Sequence, residues 1–202
     1  MKKYQDLRSD IKKHINKLLN LSVIPILAKL KISPNLITII GLFFSIVTMI
    51  LITQGYLLVS GIMVVISSLF DLLDGSLARY TKTTSILGGF FDAVIDRISE
   101  VIIYIGLLIY FKDNEYTVII IFISALLNQL VSYIKAKYES YGVEGDVGIF
   151  TRSERIITLS AALILGSFDL FILYILLYLS IILSFITIIQ RITFGLINTK
   201  NK

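Results

Sequence analysis

The 202-residue sequence has no cysteine and a single histidine, His14. Without cysteine there is no disulfide framework, no thiolate nucleophile and no thiolate metal site. His14 sits among Arg8, Lys12, Lys13 and Lys17, where a solvated surface role outweighs catalysis or metal ligation. Charge is scarce too: 16% of the residues are Asp, Glu, Lys or Arg against 56% hydrophobic, and the mean hydropathy is +0.86. That balance is too apolar for a soluble fold with a polar surface. The N-terminus lacks a short apolar region followed by a small-residue cleavage site, so no removable targeting segment is expected. There is no internal repeat, low-complexity tract or composition break, and a single domain over 1–202 is expected. A formal net charge of +5 raises the question of nucleic acid, but the placement of the cations argues against that partner.

What the chain does have is long apolar runs. Stretches such as 35–54 and 169–190 can cross a hydrocarbon layer, which takes about 20 helical residues for roughly 30 Å. Backbone groups in lipid must be satisfied within the segment, so these runs read as helices. The expected fold is all-α, a polytopic membrane protein with six transmembrane helices at about 35–54, 56–80, 86–111, 116–138, 151–167 and 169–195. Over residues 1–20, Leu7, Ile11, Ile15, Leu18 and Leu19 form one helical stripe opposite the cations. Such a basic amphipathic helix lies in the headgroup layer. With the N-terminus in the cytoplasm, Lys112 is the one cation in an outer loop, and the other 18 of the 19 Lys and Arg fall at or near the inner side. That asymmetry orients the bundle in the cell membrane.

Two spans break the apolar rule at the same membrane level. The second ends Asp71-Leu-Leu-Asp74-Gly75-Ser-Leu-Ala78-Arg79, and the third begins Gly88-Gly-Phe-Phe-Asp92-Ala-Val-Ile-Asp96-Arg97. Asp71 and Asp74 are three apart and Asp92 and Asp96 four apart, so each pair shares a helix face. A short loop joins the two antiparallel helices and can bring all four carboxylates together. Such a cluster is costly in a low dielectric unless it is protonated, paired or metal-bound. Arg79 and Arg97 offset part of the charge, and two divalent ions would balance all of it. Carboxylate oxygens with no Cys or His nearby favour magnesium, or manganese, over zinc. Gly75, Ala78 and Gly88 each lie one turn from an aspartate, leaving a bare strip where a phosphate ligand can approach. Arg79 and Ser85 could then bind its oxygens. Helix packing also selects small residues, which accounts for each one singly but not for the arrangement.

The run Asp71-x2-Asp74-Gly75-x2-Ala78-Arg79-x8-Gly88-x3-Asp92-x3-Asp96 resembles the complete signature of the CDP-alcohol phosphotransferase family. The six-span layout and basic N-terminal helix are similar to that family as well, so the likeness covers nearly the whole chain. It implies that Asp71 and Asp92 bridge two metals, that Asp74 completes one site and Asp96 the other, and that Asp96 is the general base. It further implies that Gly75, Ala78, Arg79 and Ser85 hold the CDP portion of a CDP-linked lipid, helped by Pro34, Asn35 and Ile37. A homodimer with its active site on the cytoplasmic side is implied in the same way.

A second cluster is basic: Lys135, Lys137, Arg152, Arg155 and Arg191 all fall at the inner ends of spans. The positive-inside bias explains each one singly, but Arg152 and Arg155 share a face suited to a fork-like grip on an anion. Asn128, two turns before Lys135, starts a polar stripe along the fourth span. An anionic acceptor is favoured over a neutral amino alcohol. The stretch from Lys135 to Arg155 resembles the corresponding loop of the family's inositol-phosphate-using members, which implies that the five cations bind the phosphate of inositol phosphate. Lys137 stands where arginine is expected in many of those members. The high Ile and Lys content, with the likeness of the 139–155 loop, points to an archaeal, ether-linked donor (CDP-archaeol) over CDP-diacylglycerol.

Three other readings compete. Glycerol 3-phosphate as acceptor would use the same metals and much the same basic pocket. Membrane prenyltransferases also bind magnesium diphosphates through aspartates, but their acidic motifs lie far apart, whereas Asp74 and Asp92 are 18 residues apart here. A cation or proton carrier would put buried aspartates on an ion path, usually with repeats or broken midplane helices; neither is present.

Overall fold

The computed structural model describes residue 19 and residues 22–199. The amphipathic helix expected over 1–20 therefore lies outside the described residues, apart from Leu19. Residues 22–29 are helical, and six longer helices follow: α1 (Pro34–Thr53), α2 (Leu57–Tyr80), α3 (Ile86–Tyr110), α4 (Glu115–Ser140), α5 (Arg152–Gly166) and α6 (Leu170–Thr199). No strand occurs among the described residues. Each helix falls on an expected span to within a few residues; α6 runs four residues further than its apolar pattern.

Local chemistry accounts for the boundaries. Ser33 caps α1, its hydroxyl accepting from Leu36 N at 3.3 Å, and Pro34 takes the first helical position, where its missing N–H costs nothing. Asn114 caps α4 by accepting from Thr117 N at 3.1 Å. Four helical ends close in one way, with a residue at positive φ just past the helix: Lys31 (55°), Gly55 (84°), Lys82 (55°) and Gly142 (73°). In each, the next N–H reaches back to a carbonyl five residues earlier, as in Tyr56 N to Leu51 O (3.0 Å) and Thr83 N to Ala78 O (2.9 Å). This pairing satisfies carbonyls that the helix itself leaves without a partner.

Burial is inverted relative to a soluble protein. Ser45, Thr48, Ser60, Ser124, Ser184 and Thr187 are fully buried, while Phe43, Phe122, Phe171 and Phe185 are more than half exposed. Four helices, α1, α2, α4 and α6, are long and apolar enough to cross a membrane. The expectation of six is thus met in helix number, while length and composition single out four. α5 has only 15 residues, and α3 carries Asp92, Asp96, Arg97 and Glu100.

The described residues form two compact units, those up to 44 with 66–99, and 45–65 with those from 100 onward. In the first, Ile24, Ile37 and Leu77 form a core joined by Leu27, Ile32, Phe70 and Leu73. Phe44 stacks on Phe70 at 5.1 Å, and the Ser67 hydroxyl donates to Gly41 O at 2.9 Å. In the second, Ile52, Leu57, Leu107, Leu163, Leu173 and Leu177 belong to one apolar core. Gly61 allows α5 to approach α2 closely: a Cβ there would lie 2.5 Å from Ile164 Cγ1 and 2.8 Å from Ser160 O. The Ser160 hydroxyl donates to Gly61 O at 2.9 Å, locking the crossing.

Gly61→Ala should therefore force two backbones apart, at an overpacking cost of about 1–3 kcal/mol. Gly89, whose Cβ would meet nothing within 4 Å, is the control. Thermal unfolding in detergent should show a clear loss for Gly61→Ala and none for Gly89→Ala.

Candidate active site

The aspartate motif straddles the turn between α2 and α3. Lys82 in the left-handed region ends α2, and Ser85 starts α3, its hydroxyl accepting from Gly88 N at 3.0 Å. This tight reversal sets the last turns of α2 beside the first turns of α3. One carboxylate oxygen from each of Asp71, Asp74 and Asp92 lies within 4.8 Å of the other two. At that spacing two carboxylates repel by about 3–4 kcal/mol at an effective dielectric near 20. A divalent cation turns that repulsion into attraction, and an all-oxygen donor set suits magnesium or manganese. The residues fit such an ion.

Asp74 is 3% exposed, and its Oδ2 accepts the Thr38 hydroxyl at 2.6 Å. Thr38 is itself buried on α1, so it fixes the rotamer of the deepest carboxylate. Asp96 follows Asp92 by one turn of α3 and is half-buried. It is not among the three gathered carboxylates, so the expected foursome is brought together as three plus one.

The small-residue strip is present beside them. Arg79 folds back over Gly75, where a Cβ would lie 3.3 Å from its Nη1, and its Nη2 donates to Ser76 Oγ at 3.2 Å. A Cβ on Gly88 would lie 3.0 Å from Ser85 Oγ and 3.8 Å from Asn35 Oδ1. The start of α1 thus reaches the start of α3, bringing Asn35, Ser85 and Gly88 together, with Pro34 just before them. Ala78 is half-buried on α2. Two expected ligands have structural duties: Ser85 caps α3, and Ile37, 2% exposed, packs in the core with Ile24 and Leu77.

The basic residues belong to the other unit, and most have protein partners. Lys135 Nζ lies 3.2 Å from Asp146 Oδ1, and Arg191 Nη2 lies 3.7 Å from the same oxygen. Arg191 is buried and also donates to Val147 O (2.8 Å) and Val131 O (2.5 Å), pinning the loop before α5. Lys137 is exposed, its ammonium 4.9 Å from the Tyr141 ring centroid. Arg152 is half-buried at the first turn of α5. Arg155 is buried, and its fork holds Glu100 rather than standing open: Nε to Oε1 at 3.1 Å and Nη2 to Oε2 at 3.3 Å. The stripe from Asn128 is a buried network: Asn128 Nδ2 donates to Tyr104 Oη at 2.6 Å, and Ser184 Oγ donates to Asn128 Oδ1 at 2.6 Å.

Thr38, Glu100 and Asp146 were not expected from the sequence. Thr38 had a faint signal, a hydroxyl one turn past Pro34 in an apolar run, and Glu100 stands four residues after Asp96. Asp146 had none, being one acid in a mixed loop.

Among the described residues, helices with exposed Ile, Leu and Phe and a carboxylate cluster beside a bare, arginine-covered strip fit a metal-dependent group transferase of the membrane. Residues 31–193 match the CDP-alcohol phosphatidyltransferase family. The archaetidylinositol phosphate synthase of Pyrococcus horikoshii is 34% identical over 171 residues, 82% of this chain and 85% of that protein. The Mycobacterium tuberculosis phosphatidylinositol phosphate synthase, solved with manganese and citrate, matches with a TM-score of 0.79 at 30% identity, covering 86% of this chain and 87% of that one. Its complex with CDP-DAG matches at 0.77, covering 86% and 91%. The chain belongs to the CDP-alcohol phosphatidyltransferase family: it is a phospholipid-biosynthesis transferase whose cofactor is a divalent cation.

Because Thr38 orients Asp74, Thr38→Val should weaken metal binding about 10- to 100-fold, the usual range for losing an outer-sphere partner. Manganese titration followed by electron paramagnetic resonance reads this directly.

Proposed function

We propose that this protein transfers the phospholipid moiety of a CDP-linked lipid to inositol phosphate and releases CMP. The observation that carries the transfer chemistry is the three-carboxylate cluster of Asp71, Asp74 and Asp92 beside Arg79 and Gly75. Support for the acceptor comes from the Pyrococcus and Mycobacterium relatives, both named as inositol phosphate lipid synthases. The basic residues Lys135, Lys137, Arg152, Arg155 and Arg191 are its proposed phosphate site.

In the reaction, an acceptor hydroxyl attacks the phosphorus that carries the lipid alcohol. The bond from that phosphorus to the oxygen bridging toward CMP breaks, and CMP departs with the electron pair. Asp96, one turn after Asp92 on α3, accepts the hydroxyl proton. Two divalent cations, magnesium by preference, supply Lewis acidity and charge neutralisation at the diphosphate. Asp71 and Asp92 would hold both, while Asp74 and Asp96 would complete one site each. Arg79 supplies positive charge to the diphosphate, and the bare backbone at Gly75 and Ala78 lets it come close. Asn35 and Ser85, with Pro34 and Ile37 shaping the α1 entry, hold the cytidine end.

The whole chain acts as one catalytic domain. All six helices span the bilayer, with the N-terminus and the reaction on the cytoplasmic side, and the working unit is a homodimer. Glycerol 3-phosphate is the second reading, since the same cations would serve any phosphorylated alcohol.

CMP release from CDP-archaeol and CDP-diacylglycerol, measured with inositol phosphate, inositol and glycerol 3-phosphate, tests the proposal. Turnover should require inositol phosphate and vanish with chelator; turnover with glycerol 3-phosphate alone would overturn the acceptor. Asp71→Ala should abolish CMP release. Asp96→Asn should lower it by about 10²- to 10⁴-fold, the usual contribution of a general base, while retaining much of the CDP-lipid affinity.

A further inference from the structure

Arg155 presents a problem for any anion site. It is 3% exposed, and a buried guanidinium must be both charge-paired and hydrogen-bonded to be tolerated. Glu100 supplies the charge, using both carboxylate oxygens against the Nε and Nη2 edge. Ser132 on α4 accepts the remaining Nη2 proton at 3.0 Å. Glu100 is on α3 and Arg155 on α5, so three helices converge on one guanidinium. These bonds consume Nε–H and both Nη2 protons, and the Nη1 edge takes no part in them.

The support extends outward from there. The Ser132 hydroxyl that receives Arg155 also lies 3.5 Å from Asn128 O, and Asn128 is held by Tyr104 and Ser184. At the other end, Thr151 and Glu154 fix the helix that carries Arg155. Glu154 Oε2 accepts both Thr151 N (2.8 Å) and the Thr151 hydroxyl (2.6 Å), and Arg155 N bonds to Thr151 O at 3.0 Å. The guanidinium is therefore located from its backbone and from its far side.

We propose that Glu100 is a positioning residue for the acceptor's phosphate: it touches no substrate, but fixes Arg155 so that only the Nη1 edge is offered to the anion. The proposal rests on the acceptor reading above, in that Arg155 is taken to meet the phosphate. The carboxylate does two things at once. It makes the buried arginine tolerable, and it sets the plane and direction of the one edge left for a ligand. A fork held on one side presents its other edge without a search over rotamers, which lowers the ordering cost of binding.

A purely structural ion pair would predict something different. Removing one member of a buried pair leaves the other uncompensated, and the fold suffers. The remaining correctly folded molecules would then bind acceptor and donor as before. A positioning role predicts a selective loss in the acceptor's KM.

The test uses the full-length protein in detergent or nanodiscs, with Glu100→Gln, Glu100→Asp and the exchange Glu100→Arg/Arg155→Glu. The acceptor panel is run first on the unaltered protein, and whichever phosphorylated alcohol turns over is used for the variants. A wrong choice between inositol phosphate and glycerol 3-phosphate thus changes the substrate and leaves the role of Glu100 as it stands. Turnover only with an unphosphorylated alcohol would overturn the acceptor reading and this inference together. Glu100→Asp keeps the charge and draws the guanidinium back by one methylene. It should raise the acceptor KM severalfold, leave the CDP-lipid KM within about twofold, and keep the melting temperature near that of the parent. Glu100→Gln should raise the acceptor KM by about tenfold or more with the same selectivity. The exchange variant restores the pair's charge but moves the cation to α3, so it should recover melting temperature without recovering the acceptor KM. Unchanged KM for both substrates in Glu100→Asp and Glu100→Gln, with loss only of active fraction or melting temperature, would overturn the proposal. So would recovery of the acceptor KM in the exchange variant.

Discussion

Three carboxylates held within 4.8 Å of one another, in helices otherwise built largely from apolar residues, are the constraint on which the first unit of this protein depends. Left alone they would push α2 and α3 apart. The fold instead invests in keeping them together. The reversal at Lys82 is tight, Ser85 starts the next helix at once, and Thr38 reaches over from α1 to hold Asp74. A cluster built this firmly against its own repulsion suits the proposed cation site, since the protein meets the cost during folding rather than at each binding event. Arg79, laid over Gly75, extends the same logic to the diphosphate of the proposed donor.

The other unit solves an opposite electrostatic problem, that of buried cations. Arg155 is matched by Glu100, and Arg191 by backbone carbonyls and Asp146. Neither arginine is simply an open charge waiting for an anion. Both are anchored on several sides, and each anchoring atom restricts the direction in which the rest of the guanidinium can act. Lys135, on a flexible stem and one-third exposed, is the adaptable member of the group.

Much of this was legible in the sequence, for identifiable reasons. Helices show themselves because membrane spans must be long and apolar, and Gln54-Gly55 and Gly142 announce their breaks with residues that take positive φ freely. The aspartates stand out because charge in such spans is rare. Lys31 and Lys82 end helices in the conformation usually given to glycine, and nothing in their side chains signals it. Thr38 was hidden because a hydroxyl in an apolar span more often bonds its own helix, and Thr38 Oγ1 does also lie 3.2 Å from Pro34 O. The pairing of Glu100 with Arg155 spans 55 residues and has no local trace. The face it shares with Arg152 and the likeness of the 135–155 loop marked Arg155, but neither gave its partner. The separation of Asp96 from the other three is a matter of one helical turn, below what spacing can resolve.

The two lysines at positive φ carry a consequence for how such a chain can change. A left-handed conformation costs an ordinary residue roughly 1–2 kcal/mol relative to the right-handed one, and glycine would remove most of that. Yet a cation at a helix end complements the partial negative charge of the last carbonyls. Positions 31 and 82 therefore stand under two opposed pressures, one from backbone sterics and one from the helix's own dipole. Glycine would relax the turn and give up the charge, whereas arginine would keep both the charge and the strain.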